Sequence, residues 1–109
     1  MGHTARTADS VESWVRRRLP ALLRSYRVDE AYLFGSWARD EADEQSDIDL
    51  IIVAPSQRPF VDRFRDYPAL WQKAPTGIDL LIYTPEEFVR QRRHSRFIRH
   101  VLRRAQRIL

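Results

Sequence analysis

Three apolar runs divide the chain and predict its strands. They are VDEAYLF (28–34), DIDLIIVA (47–54) and IDLLIY (78–83), and the segments between them are polar or rich in turn-forming residues. Side chains in a strand alternate between the two faces of a sheet, so residues two apart in each run share a face. In the second run, Asp47 and Asp49 therefore point to one face of the sheet, and Ile48, Leu50 and Ile52 point to the other.

Helices are predicted before and between the strands. A first helix runs through VESWVRRRL (11–19), with Ser10 or Asp9 as its cap, and Pro20 kinks it or restarts it. The segment FVDRFRDYPALWQKA (60–74) has apolar residues at near-helical spacing, and Pro68 should bend or interrupt it.

A final helix is predicted after the third run. Thr84 suits the N-cap, Pro85 the first helical position and Glu87 the third, so the helix begins there and continues to about Arg104. The residues predicted to face inward are Phe88, Phe97, Ile98 and Val101. Strands alternating with helices predict an α/β (α+β) domain of two layers, a small mixed three-stranded sheet with helices on one face. The open face should carry the acids.

Length and composition bound the kind of protein. A chain of 109 residues suits one domain spanning 1–109 with a single core. No apolar run approaches the roughly 20 residues of a membrane span, and the N-terminus lacks the apolar stretch of a secretory signal. The absence of cysteine excludes disulfides and fits a reducing compartment, so a cytoplasmic location is expected.

The candidate chemistry lies at residues 35–49. Asp47 and Asp49 fall on the same strand face, about 7 Å apart, where their charges repel each other and folding gains nothing. A divalent cation such as Mg²⁺ removes that conflict because it takes carboxylate oxygens as ligands. Gly35 and Ser36, at the end of the first run, offer a backbone that a polyphosphate can approach closely, N–H donors and a hydroxyl. Together these residues predict a metal–nucleotide site.

Gly-Ser, ten residues and Asp-x-Asp resemble the signature of the nucleotidyltransferase superfamily with the DNA polymerase beta-like fold, and most of all its minimal nucleotidyltransferases. The resemblance implies a third acid on a later strand, here Asp79. It also implies two Mg²⁺ ions bridged by Asp47 and Asp49, with Asp79 completing the shell of one ion and taking the acceptor's proton. ATP would be the substrate, its β- and γ-phosphates held by Gly35 and Ser36.

Three further residues of the signature region carry open alternatives. Arg39 matches a basic residue of the family signature, and it either meets phosphate or ties the loop to a nearby acid. Asp40 stands where many relatives carry glycine; it tolerates left-handed backbone, but it places a negative charge near the expected triphosphate. Trp37 either stacks on a base or packs against the protein, and packing is favoured.

The end of the chain is strongly basic and helps to explain the net charge of +4. A solvated helix face or a surface for an acidic partner is favoured over a nucleic-acid footprint. His94 and His100 lie six apart and do not share a helix face as a metal pair would. The eight arginines of this segment are Arg90, Arg92, Arg93, Arg96, Arg99, Arg103, Arg104 and Arg107.

The resemblance also implies a partner. Minimal nucleotidyltransferases are often paired with helical HEPN-domain toxins, which they neutralise by adding AMP to a tyrosine. The chain is therefore expected to be a metal-dependent, ATP-using antitoxin that works in a hetero-oligomer or a homo-oligomer. The alternatives are a non-catalytic antitoxin that acts by binding alone and, less favoured, a nucleic-acid-binding module.

Overall fold

Four strands form one mixed sheet in the computed structural model, which describes residues 8–109. The strands are β1 (Glu30–Phe34), β2 (Ile48–Val53), β3 (Ile78–Tyr83) and β4 (Gln106–Arg107), in the order β3-β2-β1-β4. β1 runs antiparallel to β2 and β4, and β2 runs parallel to β3. The predicted fold class is confirmed, with one more strand than expected. β4 extends the sheet beyond β1.

The N-terminal helical segment consists of α1 (Ala8–Ser13), a π-helical turn (Trp14–Arg18) and α2 (Leu19–Ser25). The Leu19 N–H donates to the Trp14 carbonyl, five residues back, in the turn just before Pro20. Pro20 has no N–H and its ring crowds the preceding turn, which accounts for the wider winding there. The predicted caps are wrong, because the helix already includes Ala8 and Ser10 lies inside it.

One face of the sheet and the N-terminal helices enclose the larger core. Leu19 and Leu23 of α2 and Leu70 of α3 (Pro68–Lys73) are fully buried in it. A 3-10 helix, Phe60–Asp66, precedes α3, so the predicted interruption at Pro68 is confirmed. The strand residues of this core are Ala31, Leu33, Ile48, Leu50, Ile52 and Ile82.

The opposite face is also covered, and here the prediction of helices on one face is wrong. Ile51 and Val53 of β2 pack with Phe88 and Ile98 in a second core. The cause is a break at Ser95, which divides the predicted final helix into α4 (Pro85–His94) and α5 (Arg96–Arg104). α4 lies against β3 and α5 against β1. The acids therefore lie on a partly covered face rather than an open one.

Capping side chains fix where these two helices begin. Thr84 accepts from the Glu87 N–H while the Glu87 carboxylate accepts from the Thr84 N–H, which confirms the predicted capping box. Ser95 Oγ accepts from the Ile98 N–H at 3.1 Å, so α5 starts with its own cap. This new start buries Ile98 completely and leaves Phe97 56% exposed, so the inward placement predicted for Phe97 is wrong.

Arg63 joins the 3-10 helix to the start of α4. Its guanidinium donates to the carboxylate of Glu87 and to the Ile82 carbonyl at the end of β3, and only 6% of the residue is exposed. This contact lowers the pKa of Glu87 to about 2, chiefly through the hydrogen bond from Arg63. Within residues 8–109 no helix has the length and apolar character needed to cross a membrane.

Candidate active site

Asp49 and Asp79 face each other across the parallel pair of strands. The register aligns Ile48 with Ile78 and Asp49 with Asp79, so the buried apolar residues and the two acids are positioned by the same pairing. Burial raises the pKa of Asp49 to about 6, helped by the charge of Asp79, a hydrogen bond with Asp79 and the charge of Asp47, while Arg39 opposes the shift. The pair thus forms an electrostatic conflict that a cation would relieve.

Asp47 lies directly before β2 and is exposed. The next residue, Ile48, donates its N–H to the carbonyl of Gly77 at 2.9 Å, which brings the residues before β2 and β3 together. A Cβ on Gly77 would overlap Oδ1 of Asp47. Gly77 therefore makes room for the Asp47 carboxylate. Sequence reasoning missed it, since a glycine before a strand looks like an ordinary turn residue.

Gly35 makes room for the second carboxylate. Its φ of +73° is a conformation that side chains with a Cβ rarely adopt, and a Cβ there would overlap Oδ2 of Asp49. A short 3-10 turn, Gly35–Trp37, begins at this point, and the Ala38 and Arg39 N–H groups donate to the Gly35 carbonyl at 3.1 and 3.2 Å. Ser36 is half-buried in the same turn, directly after Gly35.

Trp37 holds the turn against the loop before β2. Its indole N–H donates to the Ser46 carbonyl at 3.1 Å, and its ring packs on the larger core. The Thr76 hydroxyl donates a hydrogen bond to the same carbonyl at 3.4 Å. Trp37 thus has the packing role that the sequence favoured. The Gly35 turn, the loop carrying Asp47 and the residues before β3 are fastened together through Ser46.

Asp40 adopts the left-handed backbone that was expected to preserve the turn, with φ of +59°. It lines a cavity of about 500 Å³ together with Glu12, Arg16 and Leu33. Leu33 packs in the larger core, whereas Phe34 packs in the second core and pairs with Asp49. The Asp40 carboxylate therefore lies toward the other side of the sheet from the paired acids.

Arg39 ties the loop to an acid. Its Nε donates to Oε2 of Glu41 at 3.1 Å, as one of the two alternatives foresaw. Its positive charge still acts on Asp49, where it favours the ionised carboxylate. Arg39 also lines a cavity together with Phe34 and Gly35.

The side chains of this site have the chemistry of a divalent-cation site. Among residues 8–109, no three His, Asp or Glu side chains are gathered into a metal-binding group. The donor set nevertheless fits Mg²⁺ by chemistry, since it consists of carboxylate oxygens. Asp49 and Asp79 are aligned across β2 and β3, and the charges of Asp79 and Asp47 both act on Asp49.

The chain is similar to a known protein family and to several solved structures. A family model described as nucleotidyltransferase domain matches residues 13–108. No curated protein matches the chain. Among solved structures, a toxin–antitoxin crystal structure with AMP-PNP is similar with a TM-score of 0.61 and 19% identity, over 86% of this chain and 72% of that one.

Two more toxin–antitoxin structures have similar folds. A mutant of the MntA–HpeT toxin–antitoxin matches with a TM-score of 0.58 and 17% identity, over 86% of this chain and 71% of that one. A tri-AMPylated HEPN toxin of Shewanella oneidensis in complex with an MNT antitoxin matches with a TM-score of 0.56 and 18% identity, over 90% and 71%. At these identities the likeness establishes the fold alone.

Proposed function

This chain belongs to the nucleotidyltransferase domain family, and from that premise we propose that it is a metal-dependent enzyme that transfers AMP from ATP to a hydroxyl group. The observation that carries the proposal is the pairing of Asp49 with Asp79 beside Gly35. Folding alone gains nothing from two acids placed opposite each other on one face, whereas a metal–nucleotide complex would bind to them.

Each residue of the site has a distinct task in this reaction. Asp47, Asp49 and Asp79 would hold Mg²⁺, which neutralises charge on the phosphates and favours the ionised acceptor oxygen. Gly35 and Ser36 orient the β- and γ-phosphates with N–H groups and a hydroxyl. Asp79 is exposed on β3, an edge strand, where an acceptor hydroxyl can reach it and give up its proton.

The acceptor that we propose is a tyrosine of a HEPN-domain toxin. Support comes from the similar fold of an MNT antitoxin complex whose HEPN toxin is tri-AMPylated. The surface also offers apolar side chains for a partner, since Val61, Trp71 and Phe97 are 75%, 41% and 56% exposed. An ATP-using antitoxin of this kind is expected to act in the cytoplasm.

The same exposed side chains favour a second candidate, a non-catalytic antitoxin that neutralises its partner by binding alone. The Asp47→Asn and Asp49→Asn double variant separates the two. It removes two negative charges from the site and leaves Val61 and Trp71 unchanged, so the complex should still form. If chemistry is the function, the variant should co-purify with the toxin but neither add AMP to it nor rescue cells.

The experiment is co-expression of the chain with a HEPN toxin, followed by mass spectrometry of the toxin and a growth assay. Asp40→Asn serves as the matched control, because it makes the same chemical change on the other side of the sheet. Rescue by the double variant without any AMP on the toxin would refute the enzymatic proposal and support neutralisation by binding.

A further inference from the structure

A basic cavity adjoins the candidate active site. It has a volume of about 250 Å³ and lies between the end of β1 and α5. Phe34 belongs to its lining and pairs with Asp49, which places the cavity next to the face that carries the acids. Its remaining lining includes Gly35, Arg39, Phe97, His100 and Arg104.

The basic side chains of this cavity differ in whether an acid is paired with them. Arg39 is paired with Glu41. By contrast, neither His100 nor Arg104 forms an ion pair with an acid within the part of the chain that the structure describes. From Phe88 to the end, the sequence contains no acidic residue at all. His100 and Arg104 are therefore free to meet an anion.

Gly35 connects the cavity to the acids. It lines the cavity, and its missing Cβ leaves the space beside Oδ2 of Asp49. A ligand in this position would meet carboxylates on one side and cationic groups on the other. A metal-bound nucleoside triphosphate matches that distribution. Its metal ion would lie toward the carboxylates, and its negatively charged phosphate oxygens would lie toward the cationic groups.

We propose that His100 and Arg104 of α5 bind the β- and γ-phosphates of ATP and so hold the leaving pyrophosphate. This assignment rests on the proposed function. It adds two residues of α5 to the phosphate-binding residues Gly35 and Ser36. In the reaction, the acceptor oxygen bonds to the α-phosphorus and the bond from that phosphorus to the bridging oxygen breaks. Pyrophosphate leaves with the electron pair, Arg104 neutralises part of its charge, and the hydroxyl proton passes to Asp79.

The test compares ligands that differ only in the phosphates. Mg–ATP, Mg–tripolyphosphate and AMP are titrated by calorimetry into the wild-type protein and into Arg104→Ala. Loss of a charged hydrogen-bond donor should weaken Mg–ATP and Mg–tripolyphosphate about tenfold or more. AMP lacks both phosphates, so its affinity should change by less than about twofold. His100→Ala should give the same pattern with a smaller loss.

Two controls match the change in charge and side chain. Arg103 is the exposed neighbour of Arg104 on α5 but does not line the cavity, and His94 is the exposed histidine at the end of α4. Arg103→Ala and His94→Ala should leave all three affinities within about twofold of wild type. Arg104→Lys should recover part of the loss, since it restores the charge without the planar fork.

The outcomes separate this subsite from the proposed function. Equal losses for AMP and Mg–ATP, equal effects of Arg103→Ala and Arg104→Ala, or no effect at all would each overturn the subsite. If the wild-type protein transfers AMP and Arg104→Ala does so with unchanged kcat/KM for ATP, only the subsite fails. If Arg104→Ala weakens tripolyphosphate binding while the wild-type protein modifies no acceptor, the subsite stands and the transferase proposal fails.

Discussion

Asp49→Asn should stabilise the metal-free protein, although it removes a residue of the candidate active site. The folded state raises the pKa of Asp49 from 3.8 to about 6, through burial and then the charge of Asp79. A shift of about 2 units corresponds to roughly 3 kcal/mol as an upper bound, at about 1.36 kcal/mol per unit. Because Asp49 is partly exposed, solvent screening reduces the expected gain to about 1–2 kcal/mol.

The sign of the pH dependence follows from the direction of the shift. Folded Asp49 holds its proton more tightly than unfolded Asp49, so the folded state binds more protons between pH 3.8 and about 6. The free energy of unfolding of the wild-type protein should therefore fall as the pH rises through that window. Asn cannot ionise, so the advantage of Asp49→Asn should be largest near neutral pH and should vanish toward pH 4.

The assay is urea denaturation of both proteins with EDTA at a series of pH values. Asp40→Asn is the control, since this exposed residue has φ of +59°, which Asn also tolerates, and it should change stability by less than about 0.5 kcal/mol. Adding Mg²⁺ should reduce the difference in the free energy of unfolding, because it should stabilise the wild-type protein more than Asp49→Asn. A variant that is less stable than wild type at neutral pH would show that the carboxylate serves the fold, and the electrostatic reasoning would be refuted.

Three further substitutions test neighbouring parts of the structure. Gly77→Ala should displace the flexible Asp47 carboxylate, leaving stability within about 1 kcal/mol while transfer falls about a hundredfold, as measured by melting and turnover. Asp79→Asn should keep most of the affinity for Mg–ATP but lose about a hundredfold in transfer, and equal losses would make it a shared ligand only. Glu87→Gln should cost about 2 kcal/mol at pH 7, because Arg63 lowers the pKa of Glu87 to about 2. That pKa lies below the unfolded value of 4.5, so the cost should shrink as the pH falls from about 5 to 2.

The strands and the placement of the acids could be predicted because they depend on local alternation. Asp49 lies in a run of apolar residues that forms β2, so the alternation of side chains along the strand predicts which face it occupies. The resemblance implies that Asp79 joins the site, and the parallel register places it opposite Asp49. Gly77 escaped prediction, since its role depends on a carboxylate that lies 30 positions earlier in the chain and meets it only after folding.

The covered second face could not be predicted for a different reason. Ser95 stands among arginines and looks like one more polar position in a long helix, yet it caps α5 and redirects the chain. The pair Gln106–Arg107 is too short and polar to predict a strand, and it forms one because the edge of β1 offers hydrogen-bonding groups. The buried position of Arg63 could not be predicted either, because the Glu87 carboxylate and the Ile82 carbonyl that bind its guanidinium lie far away in the sequence.

The alignment of β2 with β3 determines which fraction of the molecules in a preparation is active. A shift of the register by one residue would turn Asp79 into the larger core and place Ile78 or Leu80 beside Asp49. A sheet with a shifted register would therefore lack the paired acids altogether. Each molecule is then either natively paired and fully competent or unpaired and inactive. A substitution far from the acids that weakens folding should lower the number of competent molecules in a preparation, while the turnover of each one stays constant.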